Sequence, residues 1–159
     1  MDKEFFTFSE YLRKNEKLLS PSEEDYMEMI YRLSRKRGYT RVTTLASALN
    51  VQPPSVTKMI QKFAEMKLIK YERYSVIKLE PLGEKIGKSL LDRHDLVERF
   101  LILINVRAGL LEATEKLEHL INGEVYIGIN SLVDFFNDNP VILESFKKYS
   151  QSYKSNEEI

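Results

Sequence analysis

The 159-residue chain contains no cysteine and only two histidines, His94 and His119. The missing thiols exclude disulfides, cysteine-ligated zinc and thiol catalysis, and fit a reducing interior. The scarcity of imidazole confines any histidine chemistry to two positions. No apolar run approaches the roughly 18 residues of a membrane span, and the opening "MDKEFF" lacks the basic head of a signal peptide. The expected location is therefore cytoplasmic, without a membrane partner. Internal repeats, a glycine-rich phosphate loop and low-complexity linkers are also lacking.

What remains is ordinary for a globular protein: 43% hydrophobic and 30% charged residues, enough for a sizeable core in one domain or two small lobes. Net charge is zero, yet its distribution is uneven. Residues 1–31 hold 4 basic and 8 acidic side chains, residues 32–78 hold 11 and 2, and residues 79–159 hold 9 and 14. The middle third is thus +9 between segments of −4 and −5. Such a block is either a solvated basic face or a footprint for a polyanion, and local pattern has to decide between them.

Residues 1–20 ("FFTFSEYLRKNEKLL" within them) read as an extra amphipathic helix. Its Phe5, Phe6, Phe8, Tyr11 and Leu12 are too apolar for a free tail and are expected to pack on a helical lobe or across a dimer. "SPSEEDYMEMIYRLSRKRG" then opens with helix signals: Ser20 or Ser22 as cap, Pro21 in the first turn, Glu23 and Glu24 at the positive end, and Gly38 as the stop. "TRVTTLASALNVQPPSVTKMIQKFAEMKLI" reads as two helices around a tight turn. Thr43 or Thr44 caps the first, Asn50 ends it, and Pro53 and Pro54 open the second. Val56, Met59, Ile60, Phe63 and Met66 recur at helical spacing as a buried stripe.

The opposite face of that second helix carries Ser55, Thr57, Lys58, Gln61 and Lys62. Hydroxyl, amide and ammonium groups with almost no carboxylate match phosphate oxygens and base edges. "LIKYE" and "SVIKL" follow as two short alternating strands around Arg73 and Tyr74, a hairpin wing. Helix, helix-turn-helix and basic hairpin together favour DNA binding over a lobe that serves only protein contacts. Everything beyond reads as helix: one long element from Pro81 to about Val106, two near 108–121 and 124–137, a last one in "PVILESFKKYS", and a polar tail over 154–159.

Within the helical part, "LEATEKLEHLINGE" places Glu115, Glu118 and His119 at i, i+3 and i+4, side by side on one helical face. Such a trio is commonly a solvated face. Asp25 and Glu28 repeat the i, i+3 carboxylate spacing, however, and His94 is the other imidazole. Four carboxylates and two imidazoles on three helices suit one or two divalent transition ions.

These segments resemble the metal-dependent transcriptional repressors typified by the diphtheria toxin repressor, in their shorter manganese transport regulator branch. The likeness runs from about Pro21 to Asn139, carried by "SEEDYMEMIYRL", "VQPPSVTKMIQKF", "LIKYERY", "GEKIGKSLLDRHDLVERFL" and "EKLEH". It implies a mainly α fold: a winged helix-turn-helix with a small β-hairpin wing over residues 21–80, then an all-helical metal-binding and dimerisation domain over 81–153. It also implies that Asp25, Glu28, His94, Glu115, Glu118 and His119 fall on the metal-ligand positions. Gln52, Pro54, Ser55, Thr57 and Lys58 would read DNA, with Lys62, Arg73 and Lys78 on phosphates. The expected function is a non-enzymatic, manganese(II)-responsive repressor of metal-uptake genes, with iron(II) as the alternative ion, acting on double-stranded operator DNA as a homodimer without an organic substrate. The chain departs from that pattern in the segment before Pro21, in "KLEPLG" at the wing's end and in Leu120 where another histidine is common; the SH3-like domain of the longer iron branch is not expected in the manganese branch.

Two other classes compete with this reading. A di-iron carboxylate enzyme would use Glu-x-x-His pairs, but Leu91 and Lys116 stand three residues before the two histidines. A metal-independent winged-helix regulator would need no ligand set at all.

Overall fold

The computed structural model of the chain describes residues 19–72, 74 and 76–157, the last four as backbone only. The expected N-terminal helix, with Phe5, Phe6, Phe8, Tyr11 and Leu12, falls on residues outside this range, as does Arg73. The described elements run α1 (Pro21–Ser34), β1 (Thr40–Arg41), α2 (Val42–Leu49), α3 (Pro53–Glu65), β2 (Ile69–Glu72), β3 (Val76–Leu79), α4 (Pro81–Leu103), α5 (Leu110–Glu118), α6 (Gly123–Asp138) and α7 (Pro140–Glu157). The fold is mainly helical with one small antiparallel sheet, and no described helix is long and apolar enough to cross a membrane. Two compact units divide between Asp92 and Arg93, inside α4.

In the first unit, α1 starts at Ser20. Glu23 accepts the Ser20 backbone N–H at 2.8 Å, and Pro21 occupies the first turn, where its missing donor costs nothing. The helix buries Tyr26, Met27 and Ile30. It stops at Ser34, and Gly38 lies four residues on at φ +74°, its N–H bonded back to the Ser34 carbonyl at 2.7 Å. Neither Thr43 nor Thr44 caps α2. The backbone is still extended at Arg41, which pairs with Val76 in the sheet and serves as the N-cap, so the helix begins at once and both threonines fall inside its first turn. Asn50 ends α2 in the left-handed region, and Pro53 and Pro54 open α3. Of the α3 stripe, Val56, Ile60 and Phe63 are fully buried while Met59 and Met66 are partly so. Burying each of the three contributes about 1.5–3 kcal/mol.

The sheet has strand order β1-β3-β2, with Lys70 opposite Lys78 and Tyr71 opposite Ile77. The hairpin matches the expected wing; β1, only two residues long, has too few positions to show an alternating pattern. At the wing's end Glu80 N–H donates to the Leu68 carbonyl at 2.9 Å, and Pro81 opens α4. The unusual "EPLG" is therefore a strand-to-helix corner. In the second unit α4 buries Leu96, Val97, Leu101 and Leu103, and the later helices add Tyr126 and Val133. Helix α7 extends to Glu157, into the segment read from sequence as a polar tail.

Two consequences are measurable. Glu23 is held below the usual carboxylate range chiefly by the Lys62 ammonium hydrogen-bonded to it, then by the Ser20 N–H, against the opposing effect of burial. A folded pKa below the unfolded one stabilises the protein above pH 4.5 and loses that contribution as pH falls further. Lys62 remains half exposed, so Glu23→Gln should cost about 1 kcal/mol at neutral pH in urea unfolding of the metal-free protein. The deficit should shrink in acid; if it stays constant down to pH 3, the charge is not what matters. Separately, a Cβ at Gly83 would lie 1.9 Å from the Leu68 carbonyl oxygen. Gly83→Ala should therefore destabilise by about 1–3 kcal/mol, opposite to the roughly 1 kcal/mol gain typical of this change in a helix. A higher urea midpoint would contradict the close approach.

Candidate metal centre and nucleic-acid interface

The residues expected from sequence to read DNA lie at the start of α3. Gln52 is its N-cap in an extended conformation, and Gln52, Pro54, Ser55, Lys58, Gln61 and Lys62 are all exposed, with Thr57 half-buried. The Thr57 hydroxyl donates to the Pro53 carbonyl at 3.1 Å, so toward a base edge it has only lone pairs to offer. Two of the lysines expected on phosphates carry partners: Lys62 is ion-paired with Glu23, and Lys78 with Glu72 at 3.1 Å. Each would have to exchange a carboxylate for a phosphate oxygen.

Sequence reasoning missed the residue that holds the wing. Arg41 donates through Nη1 to the Tyr74 carbonyl at 2.8 Å, and its guanidinium lies over the Tyr39 ring, 5.8 Å from the centroid. Tyr74 sits at φ +62° at the tip of the hairpin and is 86% exposed. Nothing in the local pattern marks Arg41, because its partner lies 33 residues away.

In the first unit Asp25 and Glu28 stand one turn apart on α1. Asp25 is exposed, whereas Glu28 is buried and bonded to Arg32 at 2.7 Å. In the second unit the structure joins His94 and Glu118. His94, on α4, is 7% exposed, and Glu118, the last residue of α5, is 2% exposed; Nδ1 of the imidazole lies 2.8 Å from the Glu118 carboxylate. A carboxylate cannot donate here, so the His94 ring donates from Nδ1, and a neutral ring keeps its lone pair on Nε2. A carboxylate that accepts from one nitrogen of an imidazole fixes the orientation of the ring.

His119 is the C-cap of α5, with φ −70° and ψ −14°, so the helical spacing from Glu115 persists one residue past the helix. Its Nε2 lies 3.9 Å from Glu118. Glu115 is exposed, and the structure does not join it to the buried pair. Arg93, also missed from sequence, is 2% exposed and reaches Nδ1 of His119 at 3.4 Å. Buried carboxylate and imidazole donors, hard and borderline with no thiolate, form a set that fits a divalent first-row ion.

Comparison with known proteins also finds two parts, which meet before α4 rather than within it. Residues 18–77 match the iron dependent repressor N-terminal DNA binding domain, and residues 80–147 match the iron dependent repressor metal binding and dimerisation domain. The chain is 38% identical to the HTH-type transcriptional regulator MntR of Geobacillus thermodenitrificans over 87% of its own length and 99% of that protein's. It is 41% identical to the MntR of Geobacillus kaustophilus over 80% and 92%. Among solved structures it resembles the manganese regulator SloR, with TM-score 0.63 and 26% identity over 74% of this chain and 55% of that one. The structure of ScaR with bound zinc gives 0.60 and 27%, over 71% and 54%. The chain thus spans little more than half the length of those two structures and nearly all of the curated relatives. With both domains matched in order and a relative aligned over its whole length, this chain belongs to the iron dependent repressor family of DNA-binding transcriptional regulators.

Proposed function

We propose that this protein is a manganese-responsive transcriptional repressor of metal-uptake genes that binds operator DNA as a homodimer in the cytoplasm. The observation that carries the reading is the buried His94–Glu118 pair. Removing a carboxylate and an imidazole from water is costly, and an inert core would fill that space with apolar side chains. A site that must bind a cation keeps them. The curated relatives named MntR support the choice of ion, since they align with both domains.

Asp25, Glu28, His94, Glu115, Glu118 and His119 are the proposed ligands, for one or two ions per subunit. A bound divalent ion supplies the positive charge that lets these carboxylates converge. Asp25 and Glu28 belong to α1, which packs directly behind the reading head, with Met27 and Ile30 in the same core as Val56 and Ile60. Fixing those two carboxylates fixes the head, because α1 cannot shift without disturbing that core. Gln52, Ser55, Thr57 and Lys58 would then meet base edges and Pro54 a thymine methyl, with Lys62, Arg73 and Lys78 on phosphates. Two heads of a dimer must meet successive major-groove faces about 34 Å apart. A metal that favours this arrangement by a typical coupling raises DNA affinity roughly 5- to 150-fold.

Ligand hardness selects the ion. Four carboxylates disfavour thiophilic ions, and two imidazoles make dedicated magnesium or calcium sites a poor match. Zinc binds at least as tightly as manganese by the general affinity order but prefers four tetrahedral ligands, whereas six oxygen and nitrogen donors suit manganese. Binding and activation should therefore separate. In fluorescence anisotropy with operator-like DNA at saturating metal, manganese should activate best, iron(II) or cobalt(II) less well, and zinc poorly despite being bound. Asp25→Met, which puts a softer donor in the set, should move the order toward iron. Equal activation by zinc and manganese in the parent, or an unchanged order in Asp25→Met, would overturn the geometric argument, and metal-independent binding would overturn the function.

A further inference from the structure

We propose that Arg93 is a resident competitor for His119: its buried guanidinium occupies the lone pair that a metal ion would need, so that metal loading requires Arg93 to let go. The inference rests on the metal-binding reading above and adds a residue to which that reading gives no role.

Lone pairs decide the matter. A neutral imidazole has one lone pair on its two nitrogens, and a guanidinium has none to offer, because all its polar hydrogens donate. The contact between Arg93 Nη2 and His119 Nδ1 at 3.4 Å is therefore a long hydrogen bond only if Nδ1 is the acceptor. The ring's proton then resides on Nε2, the nitrogen nearer Glu118, 3.9 Å from its carboxylate. A cation coordinated at Nδ1 would displace Arg93 directly. Coordination at Nε2 would move the ring proton to Nδ1 and set an N–H against the N–H groups of the guanidinium. Either route excludes the Arg93–His119 contact.

His94, next to Arg93 in sequence, is arranged the other way. It donates from Nδ1 to Glu118 at 2.8 Å, which in the neutral ring leaves Nε2 as the nitrogen that carries the lone pair. A carboxylate accepts from Nδ1 of the first ring, whereas a guanidinium donates to Nδ1 of the second. Glu28 shows why the block falls on the histidine: it too is bonded to an arginine, Arg32 at 2.7 Å, but a carboxylate has about four acceptor positions and can serve both partners. Arg93 is also 2% exposed, so water does not compete for its guanidinium and the contact with His119 is not screened by solvent. Manganese affinity should consequently be lower than the donor set alone would give, with His119 the last ligand to engage.

The first test uses the parent protein without metal. Two-bond nitrogen–hydrogen correlation spectra of the labelled imidazoles should show His119 with its proton on Nε2 and His94 with its proton on Nδ1. A His119 ring that carries its proton on Nδ1, or on both nitrogens, overturns the proposal. The second test titrates manganese alone, following the free ion by electron paramagnetic resonance, into the parent, Arg93→Met and Arg93→Lys. Met keeps the length without the donors and should tighten manganese binding roughly tenfold, the scale of a hydrogen bond from a charged donor, with Lys in between. A purely structural arginine would give the opposite sign, so a folded Arg93→Met that binds manganese more weakly, or equally, contradicts the competition. If Arg93→Met does not fold, the parent spectra still decide. A parent that binds no manganese would sink the metal reading itself, while the His119 tautomer would still report on the Arg93 contact.

Discussion

The buried hydrogen bond between His94 and Glu118 is a central constraint on the helical unit. Both groups are nearly inaccessible to water, and a buried carboxylate left alone would cost several kcal/mol. The pair therefore has to form wherever the fold forms, and it joins the middle of α4 to the last residue of α5. It also accounts for where α5 stops. Ending the helix at Glu118, with His119 as a cap still in helical geometry, brings two successive side chains toward α4, where His94 meets one and Arg93 the other.

The DNA-binding unit obeys a parallel constraint. Helix α1 carries Glu23, Asp25 and Glu28 within its first eight residues, and Glu23 binds Lys62 on α3. The helix that carries the proposed metal-binding carboxylates is thus also the helix that holds a lysine of the proposed reading element. At the other end of the unit Arg41 pins the hairpin through the Tyr74 carbonyl, and the corner at Glu80 and Pro81 is fixed by the Leu68 carbonyl. Reading helix and wing are positioned by polar contacts around one apolar core, so a displacement of α1 has a physical route to the DNA-facing side chains.

Much of this was legible in the sequence, for reasons that differ by feature. Helices α1 and α3 announce themselves through proline at the first turn and apolar residues at helical spacing, and the wing through two alternating runs; these are local signals. The start of α2 was misread because β1 supplies an extended N-cap at Arg41, and a two-residue strand has no period to detect. The candidate ligands were legible as chemistry, since two histidines and the i, i+3 carboxylates stand out in a chain without cysteine. Their environments were not: spacing puts Glu115, Glu118 and His119 on one face, yet Glu118 is buried and Glu115 exposed. The roles of Arg93 and Arg41 depend on partners 26 and 33 residues away, and no local pattern encodes a contact of that range.

If metal and DNA bias the same arrangement of the protein, their coupling must be reciprocal. The most direct measurement is the manganese affinity of the protein alone and of the protein saturated with a duplex selected by its manganese-loaded form from random sequence. The expected result is that DNA tightens manganese binding by the same factor by which manganese tightens DNA binding. Manganese affinity that is the same with and without the duplex, while the metal still promotes DNA binding, would contradict the account.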